Sequence, residues 1–414
     1  MHNEQHTADE YQDRFAAEKL IEALDPDRPV EDVIFLGAGA SMADKGLGQS
    51  QLLAEYFKGH QAQLIRYERE GQKEVVKRRR ERYRSMVHFL RSFFGIDVKN
   101  DTDPWSKMPT CEEVIGVLDL SMILGEGFDL RGEYELSKLD SIRNNVLLSI
   151  IDSITKSLEN VPKGGINHKK LAGKIRQPQA RGSKIAIVST NYDILIDNAL
   201  DPEAQSIDYG IDFCNIPRMR LTPPLTRLYK IHGSLNWLYC TSCKKMRITP
   251  GLKAASALVN GPVECKKCGS TATPFLTSPT YFKDLRNIFF QQVWLCAENA
   301  LKQSKRVFFC GYSFPDADIH IKYLLKRAEV VGKKGPEVFV MNCHQQKTAS
   351  EALDEYDRYH RFFSNRDRLH YCNLGFKEFC RLYPDSNFFE YALGPLVFEK
   401  IGKATKKSKL AGFL

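Results

Sequence analysis

The residues of this chain best suited to chemistry are a histidine followed by glycine and four cysteines in two spaced pairs. The run is Tyr229-Lys230-Ile231-His232-Gly233-Ser234-Leu235-Asn236-Trp237, then Cys240-x-x-Cys243 and, after 21 intervening residues, Cys265-x-x-Cys268. Two such knuckles at this separation can set four thiolates tetrahedrally around one zinc ion, as in zinc ribbons. Full cysteine ligation leaves no open position, so the expected metal is structural. His232 offers an imidazole that titrates near neutral pH, and Gly233 lets backbone approach a ligand closely. A lone histidine is usually a satisfied core residue; the glycine after it weakens that reading.

Three further polar clusters follow apolar runs. Gly37-Ala38-Gly39-Ala40-Ser41 is a glycine turn whose amides can face a phosphate. The third glycine of the dehydrogenase fingerprint is absent, with Met42 in its place, and no Gly-Lys-Ser/Thr follows, so a plain tight turn is an equal reading. In Ser189-Thr190-Asn191-Tyr192-Asp193, the Asn191 amide can hold a water or ribose hydroxyl; Asn191 or Asp193 can equally cap the helix that follows, and Asp193 reads chiefly as such a cap. Gly311-Tyr312-Ser313-Phe314-Pro315-Asp316 leads into Asp318 and His320, where two carboxylates suit a helix start better than a metal.

These clusters need a frame. Val33-Ile34-Phe35-Leu36, Lys184 to Ser189, Leu228 to Ile231, Arg306 to Cys310 and Glu337 to Met341 are short apolar runs of the kind that form buried parallel strands. Helices are expected over 7–24, 282–303 and from about Ala317, and residues from about 51 to 160 are mostly helical and highly charged. Alternating strands and helices predict an α/β fold with a Rossmann-like, doubly wound parallel sheet, a small zinc-ribbon module and a large helical insertion. The expected units are 1–50, the start of the Rossmann-like domain; 51–175, the insertion; 176–237, the domain continued; 238–275, the zinc module; 276–385, the domain completed; and 386–414, a basic tail. In such sheets ligands lie beyond the carboxyl ends of the strands, where the polar clusters sit.

The 414 residues are 43% hydrophobic and 27% charged, ordinary for a globular protein. No apolar run is long enough for a membrane span, the polar start is unlike a signal peptide, and the seven cysteines outside the knuckles are scattered, so a reducing, cytoplasmic setting is expected. The net charge of +9 concentrates in Lys77 to Arg84 and in Lys400 to Lys409. Nucleic-acid contact is one reading of these runs; a solvated helix face and a frayed terminus are favoured, because no aromatic residues interleave with them.

From about Val33 to Asn342, leaving out the insertion, the order Gly-Ala-Gly-x-Ser, Asn-x-Asp, His-Gly, paired Cys-x-x-Cys, Gly-x-Ser and a final strand-end Asn resembles the sirtuin family. The wording Thr190-Asn191-Tyr192-Asp193, His232 to Trp237 and Gly311 to Asp318 is similar to its bacterial antiphage-defence branch. The resemblance implies NAD+ as substrate, with Gly37, Ala38, Gly39 and Ser41 near the phosphates, Gly311 and Ser313 near ribose and phosphates, and Asn342 near the adenosine ribose. Asp193 is counted with this cofactor-binding set, and Asn191 and His232 match the catalytic pair. Deacylating members follow the glycine loop with Gly-Ile-Pro-Asp-Phe-Arg and carry Phe-Gly-Glu after the zinc module; here Met42 to Gly48 and Thr273 to Pro279 stand instead. Without that peptide-pairing element, water becomes the expected acceptor.

The expected activity is therefore an NAD+ glycohydrolase releasing nicotinamide and ADP-ribose in antiphage defence. An unregulated enzyme of this kind would kill its host, so control by assembly as a homo-oligomer or by a partner is expected. The resemblance implies pairing with a hexameric HerA-type DNA-translocating ATPase or with another sensor, and the charged helical segment 51–160, too large for a mere loop, is the candidate contact region. An NAD-dependent protein deacylase and a non-catalytic NAD or ADP-ribose sensor remain alternatives. No carboxylate cluster supports a nuclease.

Overall fold

The computed structural model describes residues 29–128, 134–180, 184–251, 256–277, 285–331, 335–343, 347–385 and 387–391. The expected helix over 7–24 lies outside them, as does the expected basic tail 386–414 apart from residues 387–391. Seven strands form one parallel sheet: β1 (Asp32–Leu36), β2 (Ile185–Ser189), β3 (Ile207–Asp208), β4 (Thr226–Lys230), β9 (Arg306–Cys310), β10 (Glu337–Met341) and β11 (Leu369–Cys372). Their order is β11-β10-β9-β1-β2-β4-β3. The five strands expected from apolar runs all occur in it. β1 and β2 bury every residue, as strands covered on both faces must.

Between β1 and β2 come α1 (Ala38–Met42), α2 (Leu52–Arg69), α3 (Lys73–Phe94), α4 (Cys111–Leu124), α5 (Leu136–Ser157) and α6 (Asn167–Ala180). Helices α2 to α5 close a core of their own, with Tyr56, Phe89, Ile115, Leu118 and Val146 inside. Thr110 caps α4 through a reciprocal bond with Glu113, and Gly95 ends α3 in the left-handed conformation. Leu171, Ala172 and Ile175 of α6 pack instead into the core of the large sheet, so the last helix before β2 is part of the sheet's cover.

After β2 comes α7 (Leu195–Leu200). A second sheet of order β6-β5-β8-β7 is built from β5 (Gly233–Cys240), β6 (Lys245–Ile248), β7 (Val263–Glu264) and β8 (Thr271–Leu276), with α8 (Ala257–Asn260) between β6 and β7. Helices α9 (Ile288–Gln303), α10 (Ile319–Val331), α11 (Ala349–Phe362) and α12 (Phe376–Leu382) complete the fold. Among the described residues no helix is long and apolar enough to cross a membrane.

The basic run Lys77 to Arg84 differs from a solvated helix face. Arg79 is 2% exposed and grips Asp152 of α5 with two bonds of 2.8 and 2.9 Å, and its Nε donates to Asn260 at 3.1 Å. Arg82 is also buried and donates to the Val259 carbonyl at 2.8 Å. Both arginines tie the insertion to α8 of the four-cysteine module, while Lys77, Arg78, Arg80 and Arg84 stay exposed. A buried guanidinium needs a carboxylate or carbonyl partner, which these have, so this run is in part a structural clamp.

Candidate active site

The polar clusters sit at carboxyl ends of neighbouring strands, around the point where the strand order reverses between β1 and β9. Gly37 follows β1, Asn191 follows β2, His232 follows β4, Gly311 follows β9 and Asn342 follows β10.

At the centre two turns cross backbone to backbone. Gly37 donates to the Cys310 carbonyl at 3.0 Å and Gly39 to the Gly311 carbonyl at 2.8 Å. A Cβ on Gly37 would lie 2.6 Å from the Gly311 oxygen, and one on Gly311, whose φ is +63°, would lie 2.4 Å from the Ala40 nitrogen. Glycine is needed here for close approach of the two turns. The Ala40 amide is also engaged, by the Gly37 carbonyl at 3.0 Å. The loop thus offers fewer open amides than its sequence suggests.

Ser41, Asp193 and Asn191 form a relay beside that crossing. Ser41 Oγ donates to Asp193 Oδ2 at 2.6 Å, and Asn191 Nδ2 donates to Ser41 Oγ and to the Gly37 carbonyl, both at 2.9 Å. Asp193 Oδ1 accepts from the Leu195 amide at 2.9 Å, so it also caps the start of α7. Because Nδ2 of Asn191 is held by two acceptors, Oδ1 is the amide's remaining acceptor. Ser41 and Asp193 are buried, with their polar atoms turned toward each other and toward Asn191.

His232 joins this group through its neighbour. Its Nδ1 lies 3.2 Å from the Thr190 carbonyl. A carbonyl only accepts, which assigns the proton to Nδ1 and makes Nε2 the basic nitrogen. Gly233 at φ +84° turns the chain away from the histidine; a Cβ there would lie 2.0 Å from the Phe275 oxygen. The Thr277 amide donates to the His232 carbonyl at 3.0 Å, Tyr192 Oη donates to the Thr277 carbonyl at 2.7 Å, and Trp294 Nε1 donates to the Ile231 carbonyl at 2.9 Å. The loops carrying Asn191 and His232 are thereby locked to each other and to the end of β8.

Beneath them lies a residue to which the sequence reading gave no role. Lys230, wholly buried, pairs with Asp197 Oδ2 at 3.0 Å and also donates to the Asp193 carbonyl; Tyr209 Oη donates to Asp197 Oδ1 at 2.8 Å. A charged residue closing an apolar strand, directly before Ile231-His232, was the signal available for it. Asp44 is similar. It accepts from the Ile166, Asn167 and His168 amides at 3.0 to 3.1 Å and from the His168 ring at 2.6 Å, anchoring the start of α6 to the turn after Ser41. Burial pushes its carboxyl up, but the His168 bond and these amides outweigh it and bring the pKa down to about 2.

The remaining predicted residues form a separate group at β9 and β10. Asn342 is buried, and its Nδ2 donates to the Tyr312 carbonyl at 3.0 Å and to Glu355 Oε1 at 2.6 Å. Ser313 is exposed, and its carbonyl accepts from Arg358 Nε at 3.2 Å. Asp316 pairs with Lys322 and Asp318 accepts from Tyr312 Oη, which agrees with a structural role for both.

Residues 185–358 match the family model described as SIR2-like domain. This chain carries a SIR2-like domain. The matched stretch runs from β2 into α11; β1 and the Gly37 loop lie upstream of it, beyond the helical insertion, and complete the same sheet between β2 and β9. Among solved structures, the chain is similar to a Sir2 bound to acetylated peptide (12% identity over 90% of this chain and 98% of that one, TM-score 0.41). It is also similar to a Sir2 homologue–NAD complex (11%, 94% and 94%, 0.41) and to Sir2Tm bound to a propionylated peptide (12%, 90% and 98%, 0.38). No curated protein matches the chain.

Inside the SIR2-like domain the four cysteines converge. Cys240 and Cys268 Sγ lie 3.5 Å apart, Cys243 and Cys265 Sγ 3.7 Å apart, and all four sulfurs lie within 4.8 Å of one another. Four sulfurs at ~2.3 Å from a tetrahedral zinc stand roughly 3.8 Å apart, so the set fits that ion. The Ser270 amide and hydroxyl bring the Cys268 thiol down to about 6, whereas burial and the neighbouring thiols push Cys243 up to about 12, as expected when four thiols share one site without the ion's charge. Among the described residues this is the one group of metal-ligating side chains.

Proposed function

We propose that the chain is an NAD+ glycohydrolase that cleaves NAD+ to nicotinamide and ADP-ribose. The observation that carries this reading is the Asn191 amide, fixed through Nδ2 by Gly37 and Ser41 and tied through Thr190 to His232, within a SIR2-like domain. In the reaction the bond between the ribose anomeric carbon and the nicotinamide nitrogen breaks, and nicotinamide leaves with the bonding pair as a neutral molecule. Asn191 Oδ1 accepts a bond from the incoming water or from a ribose hydroxyl and so orients it. Water oxygen bonds the anomeric carbon, and His232 Nε2 takes the water proton and passes it to solvent. The zinc that Cys240, Cys243, Cys265 and Cys268 would hold has no open position and serves to brace β5 and β8.

Water is favoured over an acyl-lysine peptide by the segment after the zinc module. Pro274 removes an N–H donor from β8, and the Thr277 amide is already bound by the His232 carbonyl, which disfavours adding a peptide strand there. A role in antiphage defence, a homo-oligomer and a hexameric translocase partner extend this reading on the wording of the motifs alone. NAD-dependent deacylation is the second reading, favoured by the retained four-cysteine module.

Incubating the protein with NAD+, with and without an acyl-lysine peptide, and measuring nicotinamide and ADP-ribose separates the two. Release without peptide, abolished in Asn191→Ala and His232→Ala, is expected. Turnover that requires the peptide would overturn the hydrolase.

A further inference from the structure

Helices α6 and α12 lie side by side, with the His168 and Phe376 rings 4.9 Å apart at their starts. Between them opens a cleft of about 920 Å³. Lys170 and Lys174 line one wall and Lys377 and Arg381 the other; Glu378 is the single carboxylate in the lining, and Gly173 borders open space, where a Cβ would meet nothing within 4 Å. Each basic pair is spaced i,i+4, which puts both charges on one side of its helix about 6 Å apart along the axis. Like charges at that spacing destabilise a helix slightly, and here two such pairs face each other.

Several basic side chains elsewhere have acidic partners: Arg79 has Asp152, Arg218 has Asp208, Lys230 has Asp197 and Arg306 has Asp32. Among the described residues none of the four cleft cations takes part in an ion pair. An excess of three positive charges in a concave site, left without counter-charges, suits an anion. Its lining includes no aromatic ring on which a base could stack. The Cys380 thiol in the lining is buried and pushed well up, so it offers no nucleophile.

We propose that this cleft binds a compact oligophosphate group, as carried by inorganic tripolyphosphate or a nucleoside polyphosphate. Packed helices stand roughly 8–10 Å apart axis to axis, too close to admit a nucleic-acid duplex between them. The site is distinct from the Asn191–His232 centre. It lies one helical turn from the Asp44 anchor that joins α6 to the glycine loop.

The test is calorimetric titration of the full-length protein with sodium tripolyphosphate, alongside Lys174→Glu/Arg381→Glu and the milder Lys174→Gln/Arg381→Gln, each checked for folding by its thermal melt. Binding by the unaltered protein that weakens at least about tenfold in the folded variants is expected, the weight of one lost charge-assisted bond. No binding, or binding that the variants leave unchanged, would overturn the proposal. So would capture of a short single-stranded DNA through these residues without any affinity for tripolyphosphate.

Discussion

Ser41→Ala tests whether Ser41 acts on NAD+ directly or through Asn191. The resemblance to sirtuins puts Ser41 near the cofactor phosphates, whereas its hydroxyl is held between Asp193 at 2.6 Å and Asn191 at 2.9 Å. Removing it does two things. Asp193 Oδ2 loses its donor while buried, which costs ~1–3 kcal/mol of stability. Asn191 keeps the Gly37 bond but loses one of two anchors, worth ~0.5–1.5 kcal/mol. If that orientation is felt in the transition state, kcat falls roughly 2- to 13-fold, at about 1.4 kcal/mol per tenfold. The assay is NAD+ turnover by Ser41→Ala, Asn191→Ala and the double variant, with KM and kcat resolved. A positioning role predicts that the Ser41 change adds little once Asn191 is gone, and that KM moves little. A rise in KM at constant kcat, or full additivity, would refute it and return Ser41 to the phosphates.

Lys230→Met leaves Asp197 charged, buried and without its partner, so a loss of ~3–5 kcal/mol is expected in a denaturant titration, against little change for Lys305→Met at an exposed pair. Zinc analysis should give one ion per chain, and prolonged chelation should lower the melting temperature; a protein that melts unchanged without metal would contradict the bracing role. Asp44 has a folded-state pKa of about 2, lowered from 3.8. Its stabilising contribution, roughly 2 kcal/mol, is therefore complete above about pH 4 and lost as pH falls through 2. The stability gap between the protein and Asp44→Asn should shrink over that window, and a gap independent of pH would show that the carboxylate charge is not what anchors α6.

How far the sequence was legible depends on how local the signal was. The strands that it exposed are those of the sheet interior, because burial on both faces demands an unbroken apolar run. The two that it hid, Ile207–Asp208 and Leu369–Cys372, are the edges, where one is only two residues long and the other mixes polar and apolar positions. The same rule governs the site. Asn191, His232 and the four cysteines announce themselves because their chemistry is carried by residue type and short spacing. The layer that orients them does not, since it is made of pairs distant in sequence: Ser41 with Asp193 across 152 positions, Asp44 with His168 across 124, and Arg79 with Asp152 across 73. Two of these three pairs span most or all of the helical insertion, and the third lies within it. A segment that separates the glycine loop from the strand beside it in sequence therefore cannot be a detached appendage. It returns the chain to the sheet through α6, under the hold of Asp44, and grips the four-cysteine module through Arg79 and Arg82.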